Sequence, residues 1–344
     1  MIEESSFTEE KLKKEVLERY GIEINKIKII NKGTANIYKV FSNDNIYVIK
    51  EFQSKYSKDD VLREINAIEY LRQKSDIPLP EYIKCKNGEL YFLHKQKVSI
   101  IQKFIEGKVF NKNEGNYEQL IESAYYLGKI IDGFRDYKTS ENISIKNWYS
   151  KEEIEKANQK YNSMLEKIGN SEIELKIKED ILFKKKLLQN LEQIIDFSEI
   201  NKITHKVSHG DYSNLQFIYN KDNKVKAILD FIKVKRLPIV WEIARSYSYI
   251  DKEVKNGELN INNIVDYTKE VSKVTELNKY DLKYLPYVYL IQLARSTFGY
   301  DEYFKDVKNK EELLNFAFYR TNICRNLYKQ SNEISNRLLE IKGD

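Results

Sequence analysis

The sequence has only two cysteines, Cys85 and Cys324, and three histidines in 344 residues. Cysteines so far apart, with no Cys-x-x-Cys, argue against a disulfide framework and predict two free thiols in a reducing cytosol. So few sulfur and imidazole ligands also argue against a zinc centre. Charge of one sign is missing as well. Lysine and arginine total 58 against 53 aspartates and glutamates, a net +5 with no long block of like charge. That pattern reads as a solvated surface and predicts no nucleic-acid partner. Long apolar runs are absent. The longest, "YLPYVYLIQLA", is about half of what a membrane helix needs. The first residues, "MIEESSFTEEKLKKE", are charged and lack an apolar signal core. These absences predict a soluble cytoplasmic protein with no membrane partner. No internal repeat or low-complexity linker appears.

What is present suffices for a packed interior: 41% of residues are hydrophobic, and the length suits two lobes or one large domain. Thr8 to Tyr20 predicts a helix, capped by Thr8 and ended by Gly21. "KIKIINKG", "ANIYKVF" and "NIYVIKEF" predict a three-stranded antiparallel meander. Val61, Ile65, Ile68 and Leu71 repeat at helical spacing over 58–74. "EYIKC" and "ELYFLH", joined by Asn87-Gly88, predict a hairpin. "VSIIQKFIEGKVF" predicts a strand ending at Glu106-Gly107. Beyond it, helical patterns run over 116–137, 151–167, 172–196 and most of 240–342, interrupted at 205–232 by strand-loop-strand character. The expected class is α+β: a sheet-and-helix lobe over 1–104 and a larger helical lobe over 105–344.

The interruption carries the chemistry. In "HGDYSNLQFIYNKDNKVKAILDF", Asp211 and Asp230 stand at the ends of an expected hairpin, with Gln216 on its first strand. One carboxylate can orient a hydroxyl and accept its proton. The other, with an amide oxygen, can hold magnesium on nucleotide phosphates. Taken singly, each aspartate reads as a turn residue at a strand end; together they point to phosphoryl transfer. Lys50 in "YVIKEF" alternates onto one face with Val48. A lysine in an apolar strand needs a charged partner, and Glu64 in "LREINAIEYL" offers one. Glu69 is a rival.

These pieces, with "NKGTANIYKV", "IIQKFIEGK" and "LPIVWEIAR", stand in an order that resembles the aminoglycoside phosphotransferase and choline/homoserine kinase group, nearest its bacterial spore-coat kinase-like branch. The resemblance spans roughly 28–250. It implies a protein-kinase-like bilobal fold that uses ATP or GTP with Mg²⁺, and a monomer or homodimer acting on a small hydroxyl compound. It implies that Lys50 binds phosphate, with Glu64 as its ion-pair partner. The hinge for adenine would be Gln102 to Gly107, with Gln102 and Phe104 as contacts. Gly33 and Asn36 would belong to the loop over the phosphates, which has one glycine and not GxGxxG. Asp211 would be catalytic, and Asp230 the main magnesium ligand. His209 and Glu242 would brace the loop.

Two departures stand out. Where the group carries asparagine five residues after its catalytic aspartate, this chain has Gln216; either ligation of the metal or a hydrogen bond within the loop fits. After Asp230, Ile232 replaces a small or acidic residue and Lys233, Lys235 and Arg236 follow. The alternative reading is therefore a non-catalytic pseudokinase or spore-coat-associated binding protein.

Overall fold

The computed structural model describes residues 3–30, 35–43 and 45–342. It is α+β, and the chain forms two compact units: 1–109 with 216–233, and 110–215 with 234–344. The strands in chain order are β1 (Lys26–Ile29), β2 (Ala35–Phe41), β3 (Ile46–Phe52), β4 (Phe92–His94), β5 (Lys97–Lys103), β6 (His205–Ser208), β7 (Phe217–Tyr219), β8 (Val225–Ile228) and β9 (Lys235–Pro238).

In the first unit β1 to β5 form one antiparallel sheet of order β1-β2-β3-β5-β4. Helix α1 (Glu9–Tyr20) starts where the Thr8 hydroxyl accepts from the Lys11 N–H, and ends at Gly21 with φ 71°, a left-handed residue for which glycine pays no Cβ penalty. Leu12 and Val16 of α1 pack with Tyr38, Val40, Ile49 and Ile101 of the sheet. Alternation turns Lys50 to the opposite face from Ile49. There α2 (Lys58–Lys74) begins with a capping box between Ser57 and Asp60. It buries Val61, Glu64, Ile65, Ile68 and Leu71.

One expected hairpin is elsewhere. Residues 81–83 spend their backbone hydrogen bonds on the end of β5, with Ile83 N–H donating to Ile101 O and Lys103 N–H to Glu81 O. They are thus unavailable to β4, and Asn87-Gly88 closes only a tight local turn. The hairpin is β4–β5, joined at Lys95-Gln96, where φ is 44° and 66°. Both central residues have the positive φ of a two-residue hairpin turn, without the glycine that would announce it. β5 also stops at Lys103, short of Gly107. Lys108 then bridges to Tyr219 of the β7–β8 hairpin. Gly107 is required there, because a Cβ would stand 2.4 Å from the Tyr219 carbonyl oxygen.

The second unit is mainly helical around a small β6–β9 ladder. Its longer helices are Tyr117–Gly133, Lys151–Leu165, Glu172–Gln189, Ile239–Ile250, Ile261–Ser272, Lys279–Arg295 and Lys310–Leu339. The helix expected over 172–196 breaks at Asn190, whose φ of −105° and ψ of 9° leave the helical range. Among the described residues no helix is long and apolar enough to cross a membrane.

Candidate active site

Within the first unit three chemistry-bearing side chains meet. Lys50 Nζ lies 2.8 Å from Asp230 Oδ1 and 3.3 Å from each carboxylate oxygen of Glu64. Helix periodicity places Glu64 on the buried face of α2, and strand alternation turns Lys50 toward it. Glu64 is 2% exposed and also accepts from the Tyr82 hydroxyl at 3.1 Å. Tyr82, which sequence reasoning passed over as part of a strand, thus satisfies a buried carboxylate that a single lysine would leave half-served. Burial would lower the Lys50 ammonium, but Asp230 and Glu64 outweigh it and push its pKa well above the ordinary lysine value. Lys50 therefore stays charged across all physiological pH. Burial raises Glu64 despite the attraction of Lys50.

Asp230 follows β8 with φ 66°, a left-handed backbone uncommon outside glycine and a form of strain that collects at functional sites. Across the hairpin, Gln216 O accepts from Leu229 N–H at 2.8 Å, so Gln216 and Asp230 come to one end of β7–β8. Gln216 is half-buried.

The residues expected around the nucleotide separate. Asn36 pairs with Glu51 in the sheet register, while Ile37 pairs with Lys50. Asn36 therefore faces away from Lys50, and its amide donates to Glu51 Oε2 and Glu3 O. Its side chain thus completes a buried polar knot on the sheet face opposite Lys50. Gly33 lies outside the described residues. Gln102 pairs with Val48 and so shares the Lys50 face. Phe104 donates its N–H to Ile46 O, and Lys39 Nζ sits 3.5 Å from the centre of its ring. A cleft of about 750 Å³ runs along this segment, lined by Lys39, Ile46, Leu79, Lys103, Phe104 and Ile105 among others.

Within the second unit the His209-Gly210-Asp211 loop leaves β6 through Gly210 at φ 79°. Glu242, fully buried, accepts the N–H groups of Gly210 at 2.6 Å and Tyr212 at 3.2 Å. His209 is also fully buried, and its Nδ1 accepts from the Asp211 N–H at 3.3 Å. The Asp211 carboxylate is 41% exposed and forms an ion pair with Arg245 Nη2. Arg245 was not singled out from sequence. It stands three residues after Glu242, and residues at that spacing share a helix face; one faces the loop's backbone and the other its carboxylate. Among the described residues no group of three or more His, Cys, Asp or Glu side chains gathers to hold a metal.

No protein-family model matches the chain, and no curated protein matches its sequence. Solved structures do match its fold. An aminoglycoside phosphotransferase from Alicyclobacillus acidocaldarius superposes with TM-score 0.68 at 13% identity, covering 96% of this chain and 98% of that one. A spectinomycin phosphotransferase in complex with ADP and spectinomycin gives 0.66 at 16% identity, covering 94% and 98%. An amicoumacin kinase in complex with AMP-PNP and Ca²⁺ gives 0.62 at 14% identity, covering 93% and 94%. The chain has the fold of these small-molecule kinases.

Proposed function

We propose that the protein moves the γ-phosphate of ATP or GTP to a hydroxyl of a small molecule. The observation that carries this reading is the Lys50–Glu64–Asp230 constellation. It is a charge-fixed ammonium held by one buried carboxylate and shared with a second, strained and partly exposed one. Phosphoryl transfer asks a protein mainly for positioning and charge neutralisation. In this reading Lys50 binds phosphate oxygens, and Glu64 with Tyr82 fixes its direction. Asp211 orients the acceptor hydroxyl and takes its proton, on a loop braced by Glu242. The fold shared with phosphotransferases bound to ADP or AMP-PNP supports it.

The implied divalent cation fits the donor set. A hard cation takes oxygen ligands, and Mg²⁺ is typically held by one or two carboxylates plus substrate phosphates. Asp230 and Gln216, at one end of one hairpin, offer a carboxylate and an amide oxygen. The cation would neutralise charge on the transferring phosphoryl group. The reading places the protein in the cytoplasm, where nucleoside triphosphates are supplied.

Calorimetric titration with Mg·ATP and Mg·GTP tests it. At least one nucleotide binds the wild type, and Lys50→Ala weakens it by roughly tenfold or more, since a hydrogen bond to a charged group is worth about 1.5–3 kcal/mol. No binding of either nucleotide, or equal binding by the variant, contradicts the proposal.

A further inference from the structure

A cluster of cations stands beside Asp211 inside the second unit, and the transfer chemistry does not account for it. Lys112 Nζ sits 4.0 Å from the centre of the Phe316 ring and 5.0 Å from that of Tyr249. Arg245 Cζ lies 4.6 Å from the Tyr249 ring and 5.5 Å from Trp241. Arg320 Cζ lies 5.8 Å from the Phe316 ring. Three cations thus converge on a Tyr249–Phe316 aromatic floor whose ring centres are 5.8 Å apart.

Their neutralisation is incomplete. Arg245 is spent on Asp211. Arg320 is only 9% exposed, yet among the described residues its partners are neutral: Ser296 Oγ at 3.0 Å and Gln292 Oε1 at 3.3 Å. Its Nε is buried with no hydrogen-bond partner. A buried guanidinium without a carboxylate is costly, because burying a charge is compensated only by pairing. Lys112, half-buried, has rings as neighbours and no carboxylate at ion-pair distance among the described residues. The local field is felt by Tyr249. Burial would raise its phenol, but Arg320, Arg245 and Lys112 outweigh that and hold it below the ordinary tyrosine value.

The geometry points to an acceptor that carries an anionic oxygen group, a carboxylate or a phosphate, held by Arg320 and Lys112 over the Tyr249–Phe316 floor, with its hydroxyl toward Asp211. Calling this ligand the acceptor rests on the phosphotransferase reading. Three features favour an anion. The group supplies the charge that Arg320 lacks. Arginine's planar fork matches both anions. And a polycationic acceptor would be repelled by the two cations, Arg320 and Lys112, that have no carboxylate partner among the described residues.

Calorimetry with matched hexoses tests the charge preference: glucuronate and glucose 1-phosphate as anions, glucose as the neutral member and glucosamine as the cation, with inorganic phosphate as the bare anion. An anionic hexose binds at least roughly tenfold more tightly than glucose, and glucosamine binds most weakly. Lys112→Gln, at a half-exposed position, removes most of that preference, as does Arg320→Gln, while Arg320→Lys restores part of it. The proposal is overturned if neither anionic hexose binds, if glucosamine equals or exceeds them, or if both glutamine variants keep the wild-type preference. It is also overturned if saturating Mg·ADP displaces inorganic phosphate, since the cations then serve the nucleotide. Nucleotide binding in the same samples reports on the phosphotransferase reading separately. Anion preference without any nucleotide binding removes that reading and leaves an anion site.

Discussion

At the scale of single residues, the molecule distributes buried charge unevenly. Lys50 is surrounded by acids and held charged. Lys184, 2% exposed, donates from its ammonium to the Ser296 carbonyl at 3.1 Å and sits 5.1 Å from the centre of the Tyr300 ring. Burial pulls its pKa down from 10.5 to about 8. The sign follows from linkage: between pH 8 and 10.5 the unfolded chain binds the proton more tightly than the folded one, so stability rises with pH through that window. The penalty relieved is at most about 3 kcal/mol. Urea midpoints of the wild type therefore rise from pH 8 to pH 10 relative to those of Lys184→Met, and parallel curves for the two proteins contradict the assignment. Asn36 and Glu64 show the limit of reading single residues. The 3.6-residue period put Glu64 on the buried face of its helix. Whether Asn36 faced phosphate depended on the β2–β3 register, which no residue type in the segment announces.

At the scale of elements, caps and periods were the legible part. Thr8, Ser57 and Gly21 mark helix ends by their own chemistry, and the meander follows from alternation. The β4–β5 turn was not legible, because lysine and glutamine adopt positive φ there only under tertiary constraint, while Asn87-Gly88 carried the stronger local signal. Gly299 is another constrained position. It has φ 90° before the helix Tyr300–Phe304, and a Cβ there would stand 2.3 Å from Leu313 O and 2.6 Å from Ala317 Cβ. Both contacts lie in the long C-terminal helix, so relief requires moving backbone. Gly299→Ala is expected to cost about 2–4 kcal/mol in urea unfolding, from strain plus overlap. A change below about 0.5 kcal/mol, the size of an ordinary surface substitution, contradicts this packing.

At the scale of the whole chain, the division into units does not follow sequence order. Residues 216–233 join the unit formed by 1–109, so Asp230 reaches Lys50 across 180 positions. Such pairing was legible only through the joint occurrence of separated motifs. Net charge was a poor guide to local charge. A balance of +5 spread over the chain says nothing of three cations gathered on one aromatic floor. Asp211 and the Lys50 constellation stand in different units, and the account needs both for one reaction. The most direct test is Asp211→Asn, assayed for transfer of radiolabelled γ-phosphate to a panel of hydroxyl compounds and titrated with Mg·nucleotide by calorimetry. The account predicts that transfer falls by roughly 10²-fold or more, as loss of a positioned general base does, with nucleotide affinity within about threefold of wild type. Wild-type turnover in the variant would contradict it.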